Sequence, residues 1–310
     1  MATQPFDVAE LRTNIAKRRR WDVIFGLVGL VATMVGVVVL LTLFIDLIID
    51  GWQHVTNKAF FLNFPSRRPA EAGILSAWVG TALVMVVTFL AAAPLGVAAA
   101  IYLEEYAPKN RLTELIEVNV TNLAAVPSIV YGLLALGLFV YILGFGHSIL
   151  TAGLTLALMI LPVIIVATRE ALRAIPLDIR EAAYALGATR WQVVSDHLVP
   201  YASGGILTGV IIGMARAIGE TAPLITIGAL TFIAFLPPIP FTGEPPAGPF
   251  DWLFSPFTVL PIQMFNWLSR PQPAFHELAA GVGIVIIVAT LLMNGIAIWL
   301  RYRIRRNLTW

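Results

Sequence analysis

Charged residues leave long stretches of this chain untouched. Val23 to Ile45 lies between Asp22 and Asp46, and Ala72 to Leu103 between Glu71 and Glu104. Val118 to Thr168 carries no Asp, Glu, Lys or Arg. Leu198 to about Phe235 is apolar apart from Arg216 and Glu220, and Leu278 to Leu300 is uncharged. A helix crosses a hydrocarbon core roughly 30 Å thick with about 20 apolar residues. The run from Val118 is too long for one crossing, and Gly144-Phe145-Gly146-His147-Ser148 breaks it into two. The pattern therefore predicts six transmembrane helices and an all-α, polytopic membrane protein. Irregular backbone cannot face lipid, and barrel strands would be about 10 residues long with alternating polarity.

The first span, residues 23–49, reads as a permanent anchor. Its apolar core exceeds the 7–15 residues usual for a signal peptide, and no small-residue cleavage pattern follows. Residues 1–22 precede it and a basic tail, residues 301–310, closes the chain. With six spans, one side receives fifteen of the twenty Lys and Arg, including Lys17-Arg18-Arg19-Arg20 and Arg301, Arg303, Arg305 and Arg306. The other receives Lys58, Arg67, Arg68 and Arg270. This bias places both termini of a multi-pass protein in the cytoplasm; the bacterial plasma (inner) membrane is the location that the family resemblance given below implies. On the same rule Arg169 and Arg173 are positive-inside anchors rather than pathway residues. Asn119 and Asn122 read as interfacial or interhelical hydrogen bonders.

Composition agrees. The chain is 58% hydrophobic and 12% charged, against about 25% charged in soluble domains. It has no cysteine, which excludes disulfides, thiolate metal sites and a cysteine nucleophile. No basic patch points to nucleic acid. A phosphate-binding loop needs Gly-Lys-Ser/Thr. The three lysines, Lys17, Lys58 and Lys109, follow Ala16, Asn57 and Pro108. ATP and Mg, if they drive this protein, are bound by a partner subunit, and no cofactor is expected in the chain itself. The histidines His54, His147, His197 and His276 are dispersed, and no catalytic triad is legible.

Ten of the twenty prolines fall in residues 237–277, among them Pro237-Pro238-Ile239-Pro240 and Pro245-Pro246. This is a stiff outer connector, or a docking surface with Trp252 and Trp267 as anchors. The preferred reading puts both tryptophans in the interfacial aromatic belt.

Residues 169–200 form a cytoplasmic loop. Asp178 is placed to cap a short helix, with Glu181 as its capping-box partner. Ala182, Ala183 and Leu186 make a small apolar stripe, and Gly187 ends the helix. A second helix starts near Thr189 with Trp191 and Val194 on one face. Two short helices joined at a glycine make a knob suited to a partner's groove. Glu181-Ala182-Ala183, three residues, Gly187 and a final Pro200 resemble the "EAA" loop of permease subunits of ATP-binding cassette importers. The family tail is Ile-x-Leu-Pro, and this chain departs from it at His197 and Val199. The resemblance implies that Glu181, Ala182, Ala183, Gly187 and Arg190 couple to a separate ATPase.

Arg216 and Glu220 lie within the fifth span, four apart and so on one helix face. A charge there costs at least about 2.5–3.5 kcal/mol. A structural ion pair would offset its own burial, but apolar residues would be cheaper, so the pair is a functional candidate. Gly219 and Pro223 are placed to bend or break the helix beside it, as in transporters built on broken helices. The arginine fork suits an oxyanion; Glu220 would position it, gate it, or repel an anion until the site rearranges. Pro127 either kinks the third helix, with Ser128 satisfying the backbone, or lines the pathway. Arg216 to Leu224, reading Arg-x-x-Gly-Glu-Thr-Ala-Pro-Leu, resembles the A-type permease of phosphate-specific importers. So do Val126 to Leu133, Leu260-Pro261-Ile262-Gln263 and Phe265-Asn266-Trp267. The resemblance covers roughly residues 73–300. It implies a type I ABC importer transmembrane domain, with Arg216, Glu220, Thr221, Pro127 and Ser128 along the substrate pathway. It also implies partners: a second permease of the C type, two ATP-binding subunits, an external phosphate-binding protein, and membrane lipid. A permease for sulfate or molybdate, or an ion-coupled secondary transporter, are the alternatives. No internal repeat between the halves supports the latter.

Overall fold

Backbone polar groups in hydrocarbon must find their partners within the protein, and a helix does this within one segment. The chain is built accordingly, with no strand among the described residues. The computed structural model describes residues 8–240 and 248–306, with side chains from 17 to 303. Pro245, Pro246, the first residues of the 1–22 segment and the last four residues of the basic tail lie outside the described residues. The helices are α1 (Val8–Val55), α2 (Lys58–Leu62), α3 (Leu75–Ile101), α4 (Arg111–Leu123), α5 (Ser128–Ala135) and α6 (Ile149–Arg173). They continue with α7 (Leu177–Ala185), α8 (Arg190–Gln192), α9 (Val199–Ile218), α10 (Ala222–Thr226), α11 (Leu260–Leu268) and α12 (Pro273–Arg306). Wider π-helical turns extend α3 over Tyr102–Tyr106 and α5 over Leu136–Ile142, and join α8 to α9 over Val193–Leu198.

Two units divide at residue 50. The first is most of α1, apolar on every face from Val23 to Ile45, which is the pattern of a single helix in lipid. The second, from Gly51 onward, holds the rest.

In this second unit α6 is the central helix. Fifteen of its residues are buried, from Ile149 to Leu172. Small residues set how closely its neighbours approach, because lipid tails provide no hydrophobic drive between helices and close packing must supply the attraction. A Cβ on Gly153 would overlap Val87 of α3. On the other side Gly205 meets Ala171 and Gly209 meets Ala167, with Gly213 against Ile160 and Ile164. These positions repeat every four residues, so they form one ridge on α9 against one on α6. Thr88 of α3 donates to the Gly153 carbonyl at 3.2 Å. Outward, Val86, Phe89 and Leu90 on α3 and Leu291 and Leu292 on α12 are exposed, as surfaces that meet lipid or another membrane chain are.

The second, fourth and sixth predicted spans appear as α3, α6 and α12. The break at Gly144–Ser148 is a tight turn with φ of 68° at Gly144 and 67° at Gly146, conformations that favour glycine. Ser148 then caps α6 by accepting from the Thr151 amide. The third span differs from expectation. Pro127 does more than kink a helix: α4 and α5 meet at 107°. Proline has no N–H to give and pushes the preceding residue out of the helical region. The Leu123 carbonyl, whose usual helical donor position is taken by Pro127, accepts from the Val126 amide at 3.1 Å and from the Tyr131 hydroxyl at 2.8 Å. Ser128–Ile142 spans about 22 Å at 1.5 Å per residue, short of the roughly 30 Å core. Among the described residues five helices are long and apolar enough to cross a membrane, and a sixth crossing needs the bent pair together.

The fifth span is also shorter than read. It ends at Ile218, not near Phe235. After α10 the chain turns at Gly228, φ 82°, where His147 Nδ1 lies 2.6 Å from the Ile227 carbonyl. The outer tryptophans are neither belt residues nor docking anchors. Trp252 is 5% and Trp267 0% exposed. Trp267 packs between Phe60 and Phe275 at ring distances of 6.3 and 6.4 Å. α11 lies on α12 and brings the tryptophan inward.

Replacing Gly153 by leucine should force α3 from α6 and cost about 1–3 kcal/mol, the range for overpacking. Gly137→Leu, where a Cβ meets nothing within 4 Å, is the control. Melting of the detergent-solubilised chains, followed by size exclusion, should fall for the first and hold for the second. Equal melting would contradict the packing role.

Candidate functional site

The sequence of α9 places Arg216 in its last turn, just before Gly219 ends it. Glu220 lies beyond the helix, in the short break before α10, and not on the same helical face. The two still meet, with Arg216 Nε 3.4 Å from Glu220 Oε1. Their side chains are 38% and 20% exposed, so the pair borders open space rather than sealed core. Only Nε is engaged: Arg216 Nη1 and Nη2 make no hydrogen bond among the described residues. Thr221 starts α10, its carbonyl accepting from the Leu224 and Ile225 amides at 3.1 and 3.0 Å, and Pro223 occupies the first turn, where its missing N–H costs nothing.

The two breaks belong to one assembly. α5 begins at Ser128, directly after Pro127, and packs on α10 with almost no gap. A Cβ on Gly132 would overlap Thr226 Oγ1 and come within 2.7 Å of the Pro223 Cα. Tyr131, one position earlier, lies within electrostatic reach of Arg216. Pro127 and Ser128 thus connect to Arg216 through the packing of α5 on α10; no hydrogen bond among the described residues joins them.

The loop after α6 forms the expected knob, with changes in detail. Pro176 starts α7 two residues early, so Asp178 is in the first turn and makes no cap; the Asp178–Glu181 capping box does not form. Asp178 still sits where the positive end of the helix dipole favours a carboxylate. At the other end Gly187, φ 85°, donates to the Tyr184 carbonyl and Ala188 to that of Ala183, at 2.9 and 3.1 Å. These two bonds are a Schellman motif. A capping box does form next door, between Thr189 and Gln192. The second helix is not free-standing, because it runs through the π-helical turn into α9. In the wider turn Val194 is buried while Trp191 is 67% exposed, so the two do not share a face. Of the expected apolar stripe only Ala183 is buried. Glu181, Ala182, Gly187 and Arg190 are all exposed, beside the exposed apolar Leu177, Tyr184, Leu186 and Trp191.

Near this loop lies a charged hub that reading the sequence missed. Arg169 is buried, its side chain 6% exposed, with Nη2 2.7 Å from Glu117 Oε1 and Nε 3.3 Å from Glu104 Oε2. Arg173 lies one turn on, 2.9 Å from Glu104 and 3.6 Å from Glu117. Two guanidinium groups and two carboxylates from α6, α4 and the π-helical end of α3 cancel one another. Arg180 of α7 adds a second link, Nη2 donating to Glu105 Oε1 at 2.8 Å and to the Leu172 carbonyl at 3.0 Å. Arg169 is therefore no interfacial anchor. The available signal was the pair of carboxylates, Glu104 and Glu117, that bracket the short segment before an otherwise uncharged run.

The described residues thus form a helical bundle with a bent span, an arginine in the last turn of a candidate span, and a glycine-ended helical knob. Residues 92–309 match the family described as binding-protein-dependent transport system inner membrane component, and the chain belongs to that family. It is thus a multi-pass permease subunit of the ABC transporter class. It is 32% identical over 92% of its length to the probable ABC transporter permease protein YqgI of Bacillus subtilis, covering 96% of that protein. It is 30% identical to the phosphate transport system permease protein PstA of Yersinia pestis, over 92% of each chain. It is 28% identical to PstA 1 of Mycobacterium tuberculosis (strain H37Rv), over 96% of this chain and 93% of that one. Among solved structures, an inward-facing conformation of the MetNI methionine ABC transporter superposes with a TM-score of 0.58 at 18% identity, covering 74% of this chain and 95% of that chain. The shared fold is the transmembrane domain of a type I ABC importer.

Arg169→Met should cost about 3 kcal/mol, since breaking a buried pair from one side strands the opposite charges. Adding Glu117→Gln should recover part of that loss. Thermal melts in detergent check the order; a double variant less stable than the single would contradict it.

Proposed function

We propose that the chain is one permease subunit of an ATP-driven importer of inorganic phosphate, forming half of the translocation pathway. The observation that carries this reading is Arg216 at the broken end of α9, held by Glu220 through Nε, with its two terminal nitrogens uncommitted among the described residues. A planar fork with two free donors fits a tetrahedral oxyanion by paired, charge-assisted hydrogen bonds. Glu220 fixes the fork and its negative charge discourages an anion from resting there, so that phosphate is passed on rather than trapped. The names of the Yersinia and Mycobacterium relatives, phosphate transport system permease proteins, support phosphate as the substrate.

In this reading residues 73–300 form the permease domain, and Thr221, Pro127 and Ser128 line the path where the two breaks meet. Both termini and the loop 169–200 lie in the cytoplasm. The exposed Leu177, Tyr184, Leu186 and Trp191 fill a groove on a separate ATP-binding subunit, with Glu181, Ala182, Ala183, Gly187 and Arg190 shaping the contact. Two such ATPases, carrying ATP and Mg, a C-type permease and an external phosphate-binding protein complete the complex. A permease for sulfate or molybdate is the second reading. The same guanidinium chemistry serves it, and the name of the Bacillus relative carries no substrate. Suppression of phosphate uptake by excess sulfate would favour it.

Arg216→Ala should lower phosphate uptake by about 10- to 100-fold, the value of one or two charge-assisted hydrogen bonds. Arg216→Lys should retain part of the activity, because it keeps the charge and loses the fork. Uptake is measured in cells with equal membrane levels of each variant. Normal uptake in both would remove Arg216 from the pathway.

A further inference from the structure

We infer that the ion network around Arg169 is the strut that carries movement of the coupling loop to the broken spans, and so to Arg216. This rests on the reading that the loop 169–200 docks on a separate ATPase.

The strut begins at Arg180, the residue before Glu181 in α7. Its guanidinium reaches Glu105 at 2.8 Å and the carbonyls of Leu172 and Ile175 at 3.0 and 3.1 Å. Arg180 and Glu105 are only 14% and 11% exposed, so water does little to screen them and the link is far stiffer than a surface pair. α7 is therefore fastened both to the end of α6 and to the end of α3.

Glu105 sits in the π-helical turn Tyr102–Tyr106 beside Glu104. The two adjacent carboxylates serve different partners, Glu105 toward α7 and Glu104 toward Arg169 and Arg173 of α6. π-helical turns of this sort recur at functional positions. A displacement of α7 that pulls on Glu105 must act on Glu104 through one peptide unit.

From Glu104 the charges run through Arg169 and Arg173 to Glu117 on α4. Here the packing decides the matter. α4 has no buried residue, so apolar burial contributes little to its position. The ion pairs of Glu117 hold it in place. α4 leads straight into the 107° bend, which the Tyr131–Leu123 hydrogen bond closes. Beyond the bend, α5 meets α10 at Gly132 without room for a methyl group, and α10 follows the break that holds Glu220. The steps are ion pairs, little exposed at Arg169, Arg180 and Glu105 and partly exposed at Arg173 and Glu117, then the helices, the Tyr131–Leu123 hydrogen bond and the close contact at Gly132. Together they form a contiguous physical connection between the two sites, which coupling energies must test. Glu104, Glu105, Glu117, Arg169 and Arg180 are positioning residues in this scheme; none touches substrate.

The experiment uses the purified complex of this chain with its partner permease and ATPase, reconstituted in liposomes with the binding protein. Phosphate imported per ATP hydrolysed is measured alongside the amount of ATPase co-purified. Glu105→Gln and Glu117→Gln should each keep the ATPase bound and lower the phosphate-to-ATP ratio at least tenfold. The two positions lie on one strut, so the double variant should lose no more than about twofold beyond the worse single. A wild-type ratio in either single variant would overturn the inference. So would a double variant whose loss is the product of the two, because independent structural contacts multiply. A wild-type complex that hydrolyses ATP without importing phosphate would instead overturn the functional reading on which the strut rests.

Discussion

Hydrocarbon offers no hydrogen bond to an interrupted helix, and the described residues include one bent span, α4 with α5, and a break that ends α9 before the short α10. Each break must therefore be repaired by the protein itself. The Tyr131 hydroxyl repairs the first by taking the Leu123 carbonyl. At the second, Thr221 and Pro223 start α10 within three residues of the end of α9. The repair also forces the two segments together, since α5 and α10 approach to backbone contact at Gly132. Arg216 and Glu220 lie beside that contact. The site is a consequence of the broken backbone as much as of the charges.

The same constraint acts on charge. An arginine as buried as Arg169 is tolerable only with its charge cancelled nearby. Glu104 and Glu117 supply the cancellation from two other elements. This gives α4, which buries no residue, a defined place in the bundle. Apolar burial holds α3, α6 and α9 together through small residues. Ion pairing holds α4 against the ends of those helices, and α7 is held there by ion pairing together with the burial of Ala183. A rigid centre and an electrostatically fastened rim suit a machine whose rim must respond to a partner.

Much of this was legible in the residues. Uncharged runs located α3, α6 and α12, because lipid tolerates few charges anywhere along a span. Gly144 and Gly146 marked a turn that needs positive φ, and Gly187 marked a helix end for the same reason. Gly219 with Pro223 announced the second break. Other features depend on partners distant in sequence and were not legible. Pro127 signals a kink, but its size follows from how α5 packs on α10. Trp252 and Trp267 fit an interfacial belt by composition, and only the packing of α11 on α12 turns Trp267 inward. Arg169 sits where positive-inside charge is expected, and its pairing with Glu104 spans 65 residues. Asp178 satisfied the spacing of a capping box, yet Pro176 starts the helix first.

We propose that the two breaks line one path for an oxyanion, open to water. The chain has no cysteine, so a single introduced thiol reports on its own position. Ser128→Cys and Thr221→Cys, placed in the assembled transporter, are exposed to a membrane-impermeant thiosulfonate reagent during turnover. The account predicts that both react and that phosphate slows the reaction at both. Absence of reaction at either position during turnover, or rates unchanged by saturating phosphate, would contradict it.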